Sequence, residues 1–277
     1  MRTDIENIIT EQQPQARVAV AFHDLESGEE VLIRADEHFH PASTIKIAVM
    51  FAVYQQVRQG QLTLDEQIPI INQFSSIVDD SPCAVNAAED SDSSLHERAG
   101  QTASVDELVR LMITISSNLA TNLLLRRVGR QSVNDLLEQL GIADVYMRRG
   151  MDDEKAYALG MNNVASARGL MQMLKLLASG QVVSAQDSRE MNAILLEQMF
   201  NEGLPAGARA GTPVAHKTGW IENHYHDAGI LYPHERKPYV MVVLTEGIPV
   251  EQDAHLLVAT ISRCAWQHVN SHHPSGA

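Results

Sequence analysis

Strand-like patterning is confined to the two ends of this 277-residue chain. Val18-Ala19-Val20-Ala21-Phe22 and Glu30-Val31-Leu32-Ile33 are short runs of strand-forming residues, joined by the turn Glu26-Ser27-Gly28-Glu29. Three more runs appear only after residue 212, at Pro213 to Thr218, Asp227 to Tyr232 and Pro238 to Thr245. Their short links favour antiparallel pairing. Both ends of the chain therefore build one α/β lobe, residues 1–40 and 212–277, with an all-helical lobe, 41–211, inserted between. The expected class is α+β, one domain over 1–277 with an antiparallel five-stranded sheet flanked by terminal helices. A cleft between two such lobes is where a small-molecule site tends to lie.

The helical signals are local. Asp4 to Gln13 reads as a first helix, and Ser43 to Gly60 as a second that Gly60 ends. Leu64 to Ala103 is expected to be mostly loop. Ser104-Val105-Asp106-Glu107 matches a capping box, and its helix runs toward Ser116, with another beginning at Leu119. Ser132 to Leu140, Ser166 to Ala178, Ser184 to Phe200 and Gln252 to His268 complete the helices. Tyr146 to Asn163 is polar and irregular, and the tail from Asn270 to Ala277 is expected to fray.

A formal charge of −14 disfavours nucleic acid and anionic membrane as partners. No run of 18 apolar residues exists, so no transmembrane helix is expected. The start, Met1-Arg2-Thr3-Asp4, has no apolar stretch of a secretory signal. Read as it stands the chain is cytoplasmic; a trimmed chain would be periplasmic or secreted. Cys83 and Cys264 make no disulfide framework and read as free thiols. Val78 to Glu97, with six carboxylates and no Lys or Arg, reads as a solvated loop.

Ser43-Thr44-Ile45-Lys46 stands at the mouth of a nearly continuous apolar run, Ile47-Ala48-Val49-Met50-Phe51-Ala52-Val53. Residues three apart on a helix share a face, so an amine comes within reach of a hydroxyl. The surrounding apolar residues argue for a buried Lys46, and a buried lysine whose charge is suppressed is a base able to activate a serine. A serine in a first helical turn also faces unpaired backbone N–H groups, which favour developing negative charge. Two further motifs lie downstream. Ser116-Ser117-Asn118 falls between two apolar helical runs, and His216-Lys217-Thr218-Gly219 ends a strand-like stretch.

Ser-x-x-Lys, Ser-x-Asn and Lys-Thr-Gly in this order resemble the motif set of the penicillin-recognising serine hydrolases, the class A β-lactamases in particular. The likeness extends to the first hairpin, to the approach from Arg34 to Lys46 and to the helix Asn118-Leu119-Ala120-Thr121-Asn122, and it covers most of the chain. It implies the family's two-lobed fold and a β-lactam amidase working through an acyl-enzyme on Ser43. Lys46 would be the acylation base, with Lys217 helping to lower its pKa, and Ser116 would pass a proton to the leaving nitrogen. Asn118, Thr218, Gly219 and Trp220 would bind substrate, and the backbone N–H groups of Ser43 and Trp220 would form the oxyanion hole. Preorganised donors of that kind contribute about 3–4 kcal/mol each.

The chain departs from the family at two places. Ser117 stands where aspartate is usual, which implies a packing difference rather than loss of activity. The loop Arg148 to Asn163 is shorter than the family's and lacks its Glu-x-x-Leu-Asn form. Glu154 is the first choice for the deacylation base and Asp152 the second. A working base favours hydrolysis; without one the protein would be a penicillin-binding or sensor protein that traps acyl groups. An esterase or D-amino-acid peptidase using the same machinery is the other alternative. His216, His224 and His226 raise a metal reading, but no Cys or carboxylate completes a set, so no metal or cofactor is expected. The partner expected is a small-molecule substrate, and the protein is expected to be a monomer.

Overall fold

The computed structural model describes residues 1–271. Pairing across nearly the whole chain closes its sheet. Strand β1 (Arg17–Asp24) runs antiparallel to β5 (Tyr239–Glu246), from Arg17 opposite Glu246 to Asp24 opposite Tyr239. Hairpin partner β2 (Glu30–Ile33) lies outside β1. On the other side β5 pairs with β4 (His224–Leu231), and β4 with β3 (Val214–Ile221). The order is β2-β1-β5-β4-β3, antiparallel throughout. The β3–β4 hairpin turns on two residues, Glu222 and Asn223, and Asn223 has φ +58°, the left-handed geometry such a turn needs.

Both faces of the sheet are covered, and the period of two sorts its side chains between two apolar clusters. Val18, Val20 and Phe22 of β1, with Met241 and Val243 of β5, join Ile5, Leu257 and Ile261 on one face. The last three come from the terminal helices α1 (Arg2–Gln12) and α9 (Glu251–Ser271). Ala19 and Ala21, with Val240, Val242 and Leu244, belong to the larger cluster on the other face. Helix α7 (Ala167–Ala178) packs there against β1, β4 and β5.

Helix α2 (Lys46–Arg58) is the axis of the helical region, with every side chain from Lys46 to Tyr54 buried. It packs on α3 (Val105–Thr114), α4 (Asn118–Val128) and α5 (Arg130–Gln139). The capping box forms as expected: Ser104 Oγ accepts from Glu107 N at 3.1 Å. α6 (Glu154–Ala158) and α8 (Ala185–Leu196) complete the set.

Several local expectations change, among them the irregular reading of 146–163, which holds α6 and begins in a short ladder of Val145–Tyr146 with Val164–Ala165. Ser43 does not begin an α-helix; Ala42–Ile45 is a 3₁₀ turn that leads into α2. α8 ends at Leu196 rather than Phe200, because Gln198 turns back and donates to Ile113 O. The stretch 64–103 holds two small ladders, Gln67–Pro69 with Thr102–Ser104 and Phe74–Ser75 with Pro82–Cys83, and a helical turn at Ser93–Glu97. Its acidic part is not solvated throughout: the Asp90 side chain is fully buried. The expected fraying of the tail concerns mostly residues 272–277, outside the described residues; Asn270 and Ser271 still belong to α9.

Candidate active site

The turn that carries Ser43 is built against strand β3. Ala42 has φ +46°, a left-handed conformation that a residue with a side chain adopts at a cost. Thr44 Oγ1 donates to Pro41 O at 2.7 Å and closes the turn. Gly219 lies against it: a Cβ there would stand 3.0 Å from Pro41 O and 3.1 Å from Ser43 N. Only a bare backbone lets β3 approach this closely. The Lys-Thr-Gly-Trp stretch is thereby set beside the amide of Ser43, one of the two expected oxyanion donors. Trp220 is 60% exposed at the cleft mouth.

One turn on, Lys46 has no exposed side-chain surface. Its Nζ donates to Ser116 O at 2.8 Å, Ser116 Oγ at 3.3 Å and Asn118 Oδ1 at 2.7 Å. Among the described residues Ser43 Oγ is not one of its partners. Burial lowers the Lys46 pKa to about 7, against the pull of Asp90 and Asp152. Lys217 is fully buried too; burial and the Lys46 charge hold it well below the ordinary lysine range, and Asp227 opposes them. Its Nζ donates to Thr218 O at 2.9 Å.

Ser116 sits between α3 and α4 with φ +62°, a second strained backbone position. Ser117 then caps α4, its Oγ accepting from Ala120 N at 3.2 Å. Asn118 is the first residue of that helix, so its side chain leaves the helix start toward both Lys46 and the loop beyond. Its Nδ2 donates to Asp152 Oδ1 at 3.3 Å.

That loop is pinned at several points. Asn122 clasps Met151, accepting its N–H at 2.7 Å and donating to its carbonyl at 3.0 Å. Asn163 Oδ1 accepts from the N–H groups of Arg148 and Arg149. Asp153 caps α6 and also takes Ser76 Oγ at 2.8 Å and Ile77 N at 2.9 Å. With Asp153 turned inward, Glu154 stands exposed at the start of α6 and does not line the cleft. Asp152 does line it, together with Ser43 and Asn118. Of the two expected carboxylates the second, Asp152, therefore lines the cleft, and the first, Glu154, does not. Burial raises the Asp152 pKa, and Lys46 opposes the rise.

The cleft has a volume of about 940 Å³ and is lined by Ser43, Ser116, Asn118, Thr218, Gly219 and Trp220 among others. Lys46 and Lys217, both fully buried, are not among its lining residues. Tyr157 also lines it and was not expected, since nothing in its local sequence marks it; His226, one of the three histidines the sequence singled out, lines it too, as a cleft-edge residue. His226 Nε2 donates to His40 O at 2.8 Å, and its Nδ1 accepts from Thr245 N at 3.1 Å, so neither nitrogen is open to a ligand. His216 Nδ1 and Asp227 Oδ1 are 2.8 Å apart beneath β3. Asp90 is the other unforeseen residue: no motif connects it to Asn118, 28 positions on, yet it accepts that residue's N–H at 2.8 Å.

Comparison with known proteins agrees with this arrangement. A sequence profile described as the β-lactamase enzyme family matches residues 1–269. A β-lactamase of Amycolatopsis lactamdurans is 29% identical over 273 residues, which is 94% of this chain and 84% of that protein. One from Streptomyces albus G is 29% identical over 254 residues, 88% of this chain and 76% of that one. Among solved structures, a β-lactamase from Sphaerobacter thermophilus superposes with a TM-score of 0.83 at 25% identity, covering 99% of this chain and 100% of that one. PBP-A, in a leucine-to-glutamate mutant solved as its acyl-enzyme complex with penicillin G, gives 0.83 at 25% identity over 98% of this chain and 96% of that one.

Proposed function

This chain belongs to the β-lactamase enzyme family, and from that membership we propose that it hydrolyses the β-lactam amide through an acyl-enzyme on Ser43. The observation that carries the reading is Lys46, a fully buried amine with a pKa near 7 that bonds Ser116 and Asn118 one turn from Ser43. At neutral pH about half of such a lysine is the free amine, the form a general base requires.

In the acylation step neutral Lys46 takes the Ser43 proton as Oγ attacks the lactam carbonyl. The oxyanion forms against the amides of Ser43 and Trp220. Ser116 Oγ, 3.3 Å from Lys46 Nζ, passes the proton to the lactam nitrogen as the C–N bond breaks. Thr218 and the buried charge of Lys217 hold the substrate carboxylate, and Asn118 bonds the amide side chain. In deacylation, ionised Asp152 takes a proton from water as the water oxygen attacks the ester carbonyl, and the ester C–O bond then breaks as that proton passes from Asp152 to Ser43 Oγ. The working unit proposed is a monomer. The substrate is a small molecule, and among the described residues no helix is long and apolar enough to cross a membrane.

Intact mass after mixing with a chromogenic cephalosporin, with absorbance followed in parallel, tests the reading. Many turnovers without a lasting adduct support it. A single burst with a stable adduct, absent in Ser43→Ala, would make the protein an acyl trap. Neither turnover nor adduct would sink the lactam reading and turn the search to esters and D-peptides.

A further inference from the structure

The Ser-x-Asn motif lacks an acidic middle residue, but a carboxylate stands behind it. Asp90 Oδ1 accepts from Asn118 N at 2.8 Å and Oδ2 from Leu119 N at 3.0 Å. Ser117 Oγ lies 3.4 Å and His96 Nε2 2.9 Å from the same Oδ2. The Asp90 side chain has no exposed surface, and Asp90 N donates to Asn86 O at 3.0 Å in the turn that delivers it. With Ser117 bonded to Ala120 N, three consecutive amides at the start of α4 are occupied, two of them by one buried carboxylate. A negative charge at a helix start is favoured. A simple cap would need nothing more. Here, though, the first amide held is that of Asn118, whose side chain contacts both Lys46 and Asp152.

We propose that Asp90 is a positioning residue for acylation: its carboxylate holds the start of α4 so that Ser116 and Asn118 present their oxygens to Lys46. It supplies from the loop the acid that the motif lacks. Two charged groups act on Lys46, Asp90 and Asp152, and both favour its ammonium form; the nearby Lys217 is itself pushed down by Lys46. Removing the Asp90 charge alone therefore has a sign: the Lys46 pKa falls, and acylation persists to lower pH. Asparagine at position 90 still accepts one N–H, but it turns an NH₂ group toward Leu119 N and loses the second bond.

The inference rests on Ser43 being the acylated residue, so wild-type reaction with a chromogenic cephalosporin, as turnover or as an adduct and lost in Ser43→Ala, is measured first. Neither turnover nor adduct on the wild type would end that reading by itself, before any variant is compared. Given either, pre-steady-state acylation rates of Asp90→Asn are followed from pH 5 to pH 9. The expected result is an acylation rate constant down about tenfold. The acid limb moves to lower pH by about half a unit or more. Adding Ser117→Asp to Asp90→Asn returns the charge and is expected to bring the rate to within about threefold of wild type, with the limb back in place. A rate and limb unchanged in Asp90→Asn would overturn the inference. So would a lower rate with an unmoved limb that Ser117→Asp does not restore, since that is the mark of a purely structural cap. If Asp90→Asn does not fold, the double variant decides. Folded with the wild-type limb, it supports the inference; unfolded as well, it overturns it.

Discussion

Lys46 combines a charged group's chemistry with a core residue's burial. It has no exposed side-chain surface, and burial alone brings its pKa to about 7. Because the amine is the working form, acylation should fall about tenfold per pH unit below that value and level off above it. Stopped-flow acylation from pH 5 to pH 9 reads this directly. Lys46→Ala should lose about 10²–10⁴-fold in the same assay. The two loop carboxylates separate in a second test. Asp152→Asn should slow deacylation about 100-fold, so that the adduct accumulates in the mass spectrum. Glu154→Gln, at an exposed position, should hydrolyse like the wild type. Ser43, Lys46, Ser116, Asn118 and Lys217 were expected from the resemblance of three short motifs to a family pattern. Asp152 was the second choice of base; that it and not Glu154 lines the cleft goes with Asp153 turning inward to cap α6, which no local pattern carries. Asp90 was read as solvated, since its partner amides lie 28 and 29 positions away.

At the scale of elements, the site depends on two close approaches. β3 reaches the Ser43 turn only through Gly219, where an added Cβ would meet Pro41 O at 3.0 Å and Ser43 N at 3.1 Å. Gly219→Ala should push the strand from the turn and reduce acylation about 100-fold, a loss of the size seen when an oxyanion donor is displaced. The adduct formation rate would show it, with the far-ultraviolet circular dichroism unchanged. The loop carrying Asp152 is tied by Asp153 to Ser76, Ile77 and Ala156. Asp153→Ala leaves those donors unpaired and should cost about 2–3 kcal/mol in urea unfolding. The strands and most helices were legible from period and caps, including the Ser104 box and the turn at Gly28. The 3₁₀ start of α2 was not, because its cause is the packing of β3 against it, which no local pattern carries. The small ladders within residues 64–103 are two or three residues long, too short for an alternation to show.

For the whole molecule, the sheet separates two apolar clusters; Lys46 lies on α2, on the side of the larger one, while Tyr225 and Val258 of the other cluster line the far wall of the cleft. Leu257 of α9 is fully buried in the cluster away from α2. Leu257→Ala should cost about 3 kcal/mol and lower Tm by about 6–12 °C, while kcat per folded molecule and its pH profile stay unchanged. Differential scanning calorimetry with active-site titration distinguishes the two effects. The sheet was foreseeable because strand-like runs in the sequence occur only at the chain's ends, and a half-buried hairpin needs a partner. The pairing of β1 with β5 has a consequence in time. Residues 17–24 leave the ribosome early, yet their sheet partner, 239–246, is made more than 200 positions later. Contacts that distant in sequence form slowly. Until they form, the sheet whose Gly219 lies against the Ser43 turn is incomplete. The proposed nucleophile therefore gains its surroundings only after most of the chain has been made.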